Sequence, residues 1–394
     1  MSDMEDADRD SPRKIVFLLP SMSGGGAEKV ILHILSYLDR TKFNPHLLLF
    51  QKKGVFLDRV PSDVPIHSLM DRKSPVNRWL LCFYYKKYIS KSNPDVVVSF
   101  MWYPNIIVLL QKYFFKGRHK VIVSERNTTA FTSGGRLNGL IRRWGIRFFY
   151  PRADLVISLT YRMRQELLEM CNIKSGRIAV IRNPVDIQAL KAASREPIDM
   201  AEFDGSLPVV LAIGSLTTQK GFEYLIRAFA RIIKTDRARL VILGEGKKRC
   251  LLEELIHQLG IKEYVHLPGF QNNPHKYLVH STVFVLSSIY EGLPNAMMEA
   301  MALGVPCIAT RCPTGPEEII NDGINGLLVP PADEKALAEA ITRVLRDVGL
   351  QERLSEAGKR RVKDFAVERI VSQYEEEIMN VIGPVSCRLC SKTI

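Results

Sequence analysis

Short apolar runs alternate with amphipathic stretches along most of the chain. The first unit is KIVFLLP (residues 14–20), a run of strand type, followed by a glycine turn and by AEKVILHILSYLDR, whose apolar positions recur at helical spacing. Because parallel strands need connections long enough for a helix, this alternation predicts a parallel α/β sheet. Further strand candidates in the first half are PHLLLF, DVVVSF, VIVSE, DLVISL and IAVI.

The alternation is interrupted once and then starts again. Residues 191–207 lose the apolar period and are rich in small and charged side chains, which indicates a linker. We therefore predict two doubly wound, Rossmann-like domains, residues 1–190 and 191–394, with the helix AVERIVSQYEEEIMNVI crossing back to the first domain. Ligands of open α/β sheets bind at the carboxyl ends of the strands, so we expect the active site in a cleft between the domains. The strand candidates of the second half are PVVLAIG, RLVILG, YVHLPG, VFVLSS, VPCIAT and GLLVP.

No segment has the pattern of a membrane span or an export signal. The longest apolar run, residues 96–110, is too short for a bilayer and contains Pro104, so it predicts a strand followed by a helix. The acidic first ten residues resemble neither a signal nor a transit peptide, and the seven cysteines are scattered, so we expect a cytoplasmic protein. Cys387 and Cys390 lack a second ligand pair, and we interpret them as part of a frayed terminus.

The net charge of +13 is confined to one half of the chain. Residues 1–190 hold 30 Lys and Arg against 16 Asp and Glu, a balance of +14, whereas residues 191–394 hold 25 against 26, a balance of −1. A one-sided positive field attracts a polyanion or an anionic membrane surface. A basic surface kept for solubility would explain the net charge but not this confinement.

The segment EGLPNAMME, residues 291–299, combines a turn with the start of a helix. Pro294 suits the first helical position, so the amides of residues 292–296 should form a helix N-terminus of the kind that binds phosphate. Gly292 would let a ligand approach the backbone closely, and Lys220, in GSLTTQKG after another strand, would add positive charge.

The two acids of this segment, Glu291 and Glu299, suit hydroxyl groups rather than phosphate. Taken alone, Glu291 would be a helix cap and Glu299 a surface residue. Together with the turn and Lys220, they describe a nucleotide sugar with its hexose, diphosphate and ribose.

These segments, with GEG at 244–246, TGPEEII at 314–320 and DGINGLLVPPAD at 322–333, resemble a retaining glycosyltransferase of family 4 with the GT-B fold. The resemblance covers residues 14 to about 380. It implies that Glu291 contacts the donor sugar, Glu299 holds the ribose hydroxyls and Lys220 neutralises the diphosphate. The other donor-binding positions that we carry over are Gly292, Leu293, Pro294, Asn295, Ser215, Gly244, Gly246, Gly25 and Gly26.

Two positions depart from the family pattern. The family often has arginine where Ser215 stands and histidine where Arg126 stands. The first departure suggests that Lys220 carries more of the leaving-group stabilisation, with Arg126 reaching across the cleft as a further catalytic residue. The second puts a histidine-centred mechanism in doubt. The turn at residues 23–26 with Glu28 resembles the family's glycine loop, which faces the β-phosphate and the acceptor, although an ordinary strand-to-helix turn would look the same.

The resemblance implies retention at the anomeric carbon. No obvious nucleophile lies in the motifs, so we expect front-face substitution without a covalent intermediate, driven by stabilisation of the leaving diphosphate. We expect no cofactor and no metal, the UDP-sugar being the donor substrate. The Asp-x-Asp triplets at residues 6–10 lie in the acidic tail, and the eight histidines form no ligand cluster in the sequence.

Two segments of the basic half combine cationic and aromatic residues, at 78–91 and 136–152. Both suit a membrane surface, although sheet-packing helices with solvated rims would show the same pattern. The charge asymmetry favours the membrane. This half resembles enzymes that extend polyprenyl-diphosphate-linked saccharides, often with N-acetylgalactosamine, which implies a lipid-linked acceptor and peripheral association with the cytoplasmic face of a membrane.

Two alternative functions are a nucleotide-sugar epimerase and a non-enzymatic basic module. The basic first half argues against a nucleotide-sugar epimerase, which would need only the donor. A non-enzymatic basic module would bind nucleic acid or membrane, and a nucleic-acid-binding module should carry recognition motifs. We find no nucleic-acid motif, so we expect no nucleic-acid partner. A kinase or dehydrogenase is disfavoured because GSLTTQK lacks the second glycine of a P-loop and GEGKKR the third glycine of a dinucleotide fingerprint.

Overall fold

The computed structural model describes residues 11–70, 78–115, 117, 119–126 and 135–383. The chain divides into two units. The first unit comprises Met1–Pro184 and Val367–Ile394, and the second unit comprises Val185–Ala366. The acidic triplets at residues 6–10, and Cys387 and Cys390, lie outside the described residues.

The first unit is built on a seven-stranded parallel sheet. Its strands are β1 (Arg13–Leu19), β2 (Phe43–Gln51), β3 (Ile66–Met70), β4 (Val96–Phe100), β5 (Lys120–Ser124), β6 (Leu155–Ser158) and β7 (Ile178–Val180). The helices between them are α1 (Gly26–Tyr37), α2 (Arg78–Ser92), α3 (Trp102–Phe115), α4 (Gly135–Phe149) and α5 (Tyr161–Met170). The strand order is β3-β2-β1-β4-β5-β6-β7, so the direction of winding reverses between β1 and β4.

Strand β1 is apolar throughout because both of its faces are covered. Phe17 packs in one core cluster with α1, and Leu18 packs in the opposite cluster with α2, α3, α4 and α5. A strand buried on both faces needs a continuous apolar run rather than an alternating one, which is the pattern that KIVFLLP shows.

The second unit repeats this architecture on a six-stranded parallel sheet. Its strands are β8 (Val209–Ile213), β9 (Arg239–Leu243), β10 (Val265–Gly269), β11 (Val283–Leu286), β12 (Cys307–Thr310) and β13 (Leu327–Val329). Its helices are α6 (Ile187–Ala193), α7 (Phe222–Ile232), α8 (Arg249–Gln258), α9 (His275–Leu278), α10 (Asn295–Ala302), α11 (Pro316–Ile319), α12 (Glu334–Arg346) and α13 (Val348–Val362). The order β10-β9-β8-β11-β12-β13 reverses between β8 and β11.

All twelve strands expected from the sequence are present, and two Rossmann-like α/β units confirm the predicted fold class. Residues 96–110 form β4 and most of α3, the strand and helix expected there. Strand β3 was missed. The units divide between Pro184 and Val185 rather than at residue 190, because Asp186 caps α6, and α6 packs against α9 and α10 of the second unit.

The last helix, α14 (Val367–Ile382), belongs to the first unit. It packs against α1, and its buried face contributes Val371, Tyr374 and Ile378 to the core beside that helix. None of the helices in the described part of the chain is long and apolar enough to cross a bilayer.

Replacing Ile378 by alanine tests this packing. Ile378 is fully buried, so Ile378→Ala should lower the free energy of unfolding of the first unit by about 2–5 kcal/mol. The neighbouring Met379 is 37% exposed, and Met379→Ala should change it by less than about 0.5 kcal/mol. Urea titrations followed by circular dichroism provide the comparison, and equal effects of the two substitutions would contradict the packing described here.

Candidate functional site

Lys220 and Glu291 form an ion pair at the reversal point of the second sheet. Lys220 follows β8 and Glu291 follows β11, the two strands between which the winding reverses. The Lys220 Nζ atom lies 2.6 Å from Glu291 Oε1, and the two side chains are 20% and 8% exposed. The Ser288 hydroxyl donates to the same carboxylate oxygen at 2.7 Å. Ligands of open α/β sheets bind at this point, outside the carboxyl ends of the strands.

The loops that carry the pair are joined to one another by hydrogen bonds. The Ile289 amide donates to Gln219 O at 2.8 Å, and Gln219 Nε2 donates to Tyr290 O at 3.1 Å. The Ser287 hydroxyl donates to Lys220 O at 2.9 Å. One backbone and two side-chain hydrogen bonds thus join the loop of Lys220 to the loop of Glu291, so the structure holds the backbones on both sides of the ion pair together.

The next loop, after β12, supports Glu291 from its other side. The Thr314 hydroxyl donates to the Glu291 carbonyl, and the Thr310 hydroxyl donates to the Ser288 carbonyl. Cys312 lies within this loop, where burial and the Glu291 carboxylate raise the pKa of its thiol to about 12. The cysteine therefore stays protonated at neutral pH.

The glycines after β8 and β9 permit a close approach of two backbones. Gly244 has φ +148°, and a Cβ atom there would lie 2.0 Å from Gly214 O. Gly246 is equally constrained, since a Cβ atom there would lie 2.4 Å from Leu216 O. The exposed Ser215 lies in the same pair of loops, so the predicted residues Ser215, Gly244 and Gly246 share one edge of the sheet with Lys220.

The helix start differs from the expectation. Helix α10 begins at Asn295, and Pro294 is the capping residue before it, with ψ 100°, rather than the first helical residue. Gly292 and Leu293 are buried with Pro294 in the turn that leads to the helix. The loop at Gly315 constrains this turn from outside, because it comes so close that a Cβ atom on Gly315 would lie 2.1 Å from Gly292 O and 3.1 Å from Pro294 Cδ.

Glu299 lies in the same helix but has a different partner. Its Oε2 atom is 3.0 Å from Nε2 of His275, the first residue of α9. Both side chains are largely buried, at 9% and 12% exposure. No motif of the sequence points to His275, since a single histidine in a strand-to-strand connection has no diagnostic spacing.

Arg126, Gly25 and Gly26 belong to the first unit and are placed there at the carboxyl ends of its strands. The Arg126 guanidinium donates to Asn183 Oδ1 at 2.5 Å and lies 5.3 Å from the Phe100 ring centroid. Burial lowers the pKa of this guanidinium.

Glu28 lies close to the same guanidinium. Burial raises the pKa of Glu28, and Arg126 opposes that rise. A Cβ atom on Gly25 would meet the Glu28 carboxylate at 2.5 Å, so the glycine turn, Glu28 and Arg126 form one cluster.

In the part of the chain that the structure describes, no group of three or more His, Cys, Asp or Glu side chains is arranged to hold a metal ion.

Two Rossmann-like parallel sheets in one chain are the architecture of the GT-B glycosyltransferases. Residues 24–189 match the family described as "Glycosyltransferase Family 4", and residues 196–361 match "Glycosyl transferases group 1". The chain belongs to these glycosyltransferases, which confirms the resemblance seen in its motifs.

Relatives of known sequence and structure agree with this assignment. An uncharacterized glycosyltransferase of Methanocaldococcus jannaschii is 32% identical over 73% of this chain and 80% of that protein. The N-acetylgalactosamine-N,N'-diacetylbacillosaminyl-diphospho-undecaprenol 4-alpha-N-acetylgalactosaminyltransferase of Campylobacter jejuni is 29% identical over 90% of this chain and 96% of that enzyme. The structure of Anabaena HepE in complex with UDP-glucose superposes with a TM-score of 0.77 at 19% identity, over 93% of this chain and 99% of that one.

The close approach at Gly244 can be tested by substitution. Gly244→Ala should cost about 3 kcal/mol or more of stability, because the new Cβ atom would overlap a backbone carbonyl at a strained φ. Gly260→Ala is the matched control, since Gly260 also has positive φ, +67°, but faces open space. We expect a cost of only about 1 kcal/mol there. The midpoints of thermal unfolding of the two variants give the comparison. A Gly244→Ala variant as stable as Gly260→Ala would contradict the close approach of the two backbones.

Proposed function

We propose that this chain transfers a hexose or N-acetylhexosamine from a UDP-sugar to a polyprenyl-diphosphate-linked saccharide, with retention at the anomeric carbon. N-acetylgalactosamine is the first choice of sugar. The observation that carries the proposal is the Lys220–Glu291 ion pair at the reversal point of the second sheet, in a chain that belongs to the glycosyltransferases. The Campylobacter relative, named for a substrate of this kind, supports the choice of sugar and acceptor.

The chemistry assigned to the pair follows from its contacts. Glu291 Oε1 accepts from both Lys220 and Ser288, which orients the carboxylate and leaves it acceptor capacity for a sugar hydroxyl. Lys220 provides a cation for the diphosphate that departs. Since the loops hold the pair in advance, little reorganisation is needed when negative charge develops on the leaving group.

We propose the remaining predicted residues in the roles that the family resemblance gave them. Ser215, Gly244 and Gly246 share the edge of the sheet that carries Lys220, which supports a role beside the donor. Arg126, as a further catalytic residue, and the Gly25–Gly26 turn, which would face the β-phosphate and the acceptor, cluster with Glu28 in the first unit. The retaining reaction would proceed by front-face substitution.

The test of donor and acceptor is an incorporation assay. The protein is incubated with polyprenyl-diphosphate-linked saccharide and a panel of labelled UDP- and GDP-sugars, and label is followed into the organic-extractable lipid. We expect incorporation from a UDP-N-acetylhexosamine, with EDTA making no difference because Lys220 supplies the positive charge. Epimerisation of the free nucleotide sugar without incorporation into lipid would contradict the proposal.

Lys220→Ala should reduce the turnover number roughly 10²- to 10³-fold, the usual effect of removing one preorganised group that stabilises the transition state. The control is Lys234→Ala, which removes an exposed lysine of the same unit and should leave turnover unchanged. Circular dichroism and thermal unfolding check that both variants are folded, because the loss of Lys220 leaves the buried Glu291 carboxylate without its cation. Turnover within about threefold of the wild type in a folded Lys220→Ala protein would remove Lys220 from the mechanism.

A membrane surface is the second part of the proposal, and its support is an exposed aromatic face on the first unit. The segments 78–91 and 136–152 form α2 and α4, and α3 contacts both helices. The end of α3 adds aromatic residues that the sequence did not single out. We use the name aromatic face for a set of exposed side chains of α2, α3 and α4, in which two aliphatic residues accompany the rings. They are Phe83, Tyr113, Phe114, Phe115, Leu140, Ile141, Trp144 and Phe148.

Cationic groups accompany these rings. Lys86 Nζ lies 3.8 Å from the centroid of Phe115, and the Arg152 guanidinium lies 4.2 Å from that of Phe148. Exposed aromatic side chains rimmed by basic residues suit the headgroup region of an anionic bilayer, where each Lys or Arg adds about 1 kcal/mol. We therefore propose peripheral association with the cytoplasmic face of a membrane.

The double substitution Phe114→Ser with Trp144→Ser should weaken binding to vesicles that contain anionic lipid by at least about tenfold, because two rings that are 66% and 64% exposed are lost. Leu251→Ser, at an apolar residue of the second unit that is 58% exposed, is the control and should leave binding unchanged. Vesicle co-sedimentation measures both variants, and unchanged binding of the double variant would contradict the proposed membrane surface.

Charge reversal at Lys86, Lys87 and Lys91 should lower turnover on the lipid-linked acceptor. Unchanged turnover in this variant would likewise contradict the proposed membrane surface.

A further inference from the structure

His275 lies against the predicted ribose-binding acid, and no motif of the sequence includes it. Its Nε2 atom is 3.0 Å from Glu299 Oε2. Helix α9, which His275 begins, packs against α10, which carries Glu299. The contact therefore joins two elements that lie on opposite sides of β11 in the sequence.

The position of His275 is itself supported by two hydrogen bonds of the Asn273 side chain. The His275 amide donates to Asn273 Oδ1 at 3.1 Å, and Asn273 Nδ2 donates to Ala193 O at 2.8 Å. Ala193 ends α6. The backbone at His275 is thus tied through Asn273 to the end of α6, which contacts both α9 and α10.

The direction of the hydrogen bond follows from the chemistry of its partners. With Glu299 ionised, its carboxylate only accepts, so Nε2–H of His275 is the donor. A donor at one oxygen sets the rotation of the carboxylate plane. It leaves further acceptor positions on the carboxylate, which can receive hydroxyl groups only while that plane is held.

We propose that His275 is the positioning residue for Glu299: its Nε2–H holds the carboxylate in the orientation that accepts the two neighbouring hydroxyls of the donor's ribose. This inference rests on the proposed function, since it takes a uridine diphosphate as the ligand. It assigns to His275 a share in selecting ribose over a sugar that lacks these hydroxyls. The group that touches the ligand remains Glu299.

The test compares binding of UDP with binding of 2′,3′-dideoxyuridine diphosphate by isothermal titration calorimetry. The full-length wild-type protein should bind UDP roughly ten- to a hundredfold more tightly, the usual effect of hydrogen bonds to a charged group. Glu299→Gln should bring this ratio close to one. His275→Phe, which keeps a ring but removes the donor, should do the same, and so should His275→Asn, whose amide is too short to reach.

His275→Gln is the conservative variant, because its amide can place an N–H near the position of Nε2. It should keep the ratio within about threefold of the wild type, which a purely structural role for the histidine would not explain. His257→Phe, at an exposed histidine of α8, is the matched control and should not change the ratio. Thermal unfolding of each variant checks folding, and the smaller His275→Asn serves where the Phe ring cannot be accommodated.

The outcomes separate this inference from the proposed function. If Glu299→Gln abolishes the preference for UDP while His275→Phe and His275→Asn keep it, the role of His275 is wrong and that of Glu299 stands. If His275→Gln loses the preference together with the other two, packing rather than hydrogen-bond donation is responsible, and the inference is again wrong. If the wild type shows no preference, or Glu299→Gln keeps it, the ribose assignment of Glu299 fails and this inference fails with it.

Discussion

The Lys220–Glu291 ion pair is the interaction on which the candidate site depends. Both side chains are mostly withdrawn from water, and their closest atoms are 2.6 Å apart. Removing one partner of such a pair leaves the other charge buried without compensation, which is strongly destabilising. The surrounding hydroxyls of Ser288 and Thr314 fix the position of Glu291 and of its loop. The protein therefore holds a cation and an acid side by side at the reversal point of the second sheet.

The parallel sheet determines where this pair can form. Lys220 and Glu291 are 71 residues apart in sequence, yet they follow the adjacent strands β8 and β11. Because winding proceeds outward in both directions from these two strands, the connections leave on opposite faces and open a crevice between them. The glycines at 244 and 246 then bring the loop after β9 against the loop after β8, at distances that a side chain would prevent.

The fold was predictable from the sequence because most strands are buried on both faces. Runs such as PVVLAIG and VFVLSS are continuous and apolar, and glycine or polar residues end them. Strand β3, Ile66–Met70, is not recognisable from the sequence. It lies at the sheet edge, contains His67 and Ser68, and is only partly buried, so it lacks a continuous apolar run. Helix α10 begins one residue later than the proline rule predicts, since the neighbouring loop at Gly315 constrains the turn before the helix.

The site was predictable only in part. Glu291, Glu299 and Lys220 belong to motifs with a recognisable spacing, so the sequence singled them out. The contacts of these residues with other side chains could not be predicted from the motifs. Lys220 is expected to face phosphate, but in the structure it binds Glu291, and Glu299 binds His275 from another connection. The contact between Arg126 and Asn183 likewise joins residues 57 positions apart. Such pairings depend on tertiary packing, which no local pattern encodes.

The most direct measurement is a crystal structure of the protein with UDP bound. The account predicts that a β-phosphate oxygen lies about 3 Å from Lys220 Nζ, at the reversal point between β8 and β11, with the ribose beside Glu299. A diphosphate bound elsewhere, with the Lys220–Glu291 pair untouched and distant from the ligand, would contradict it.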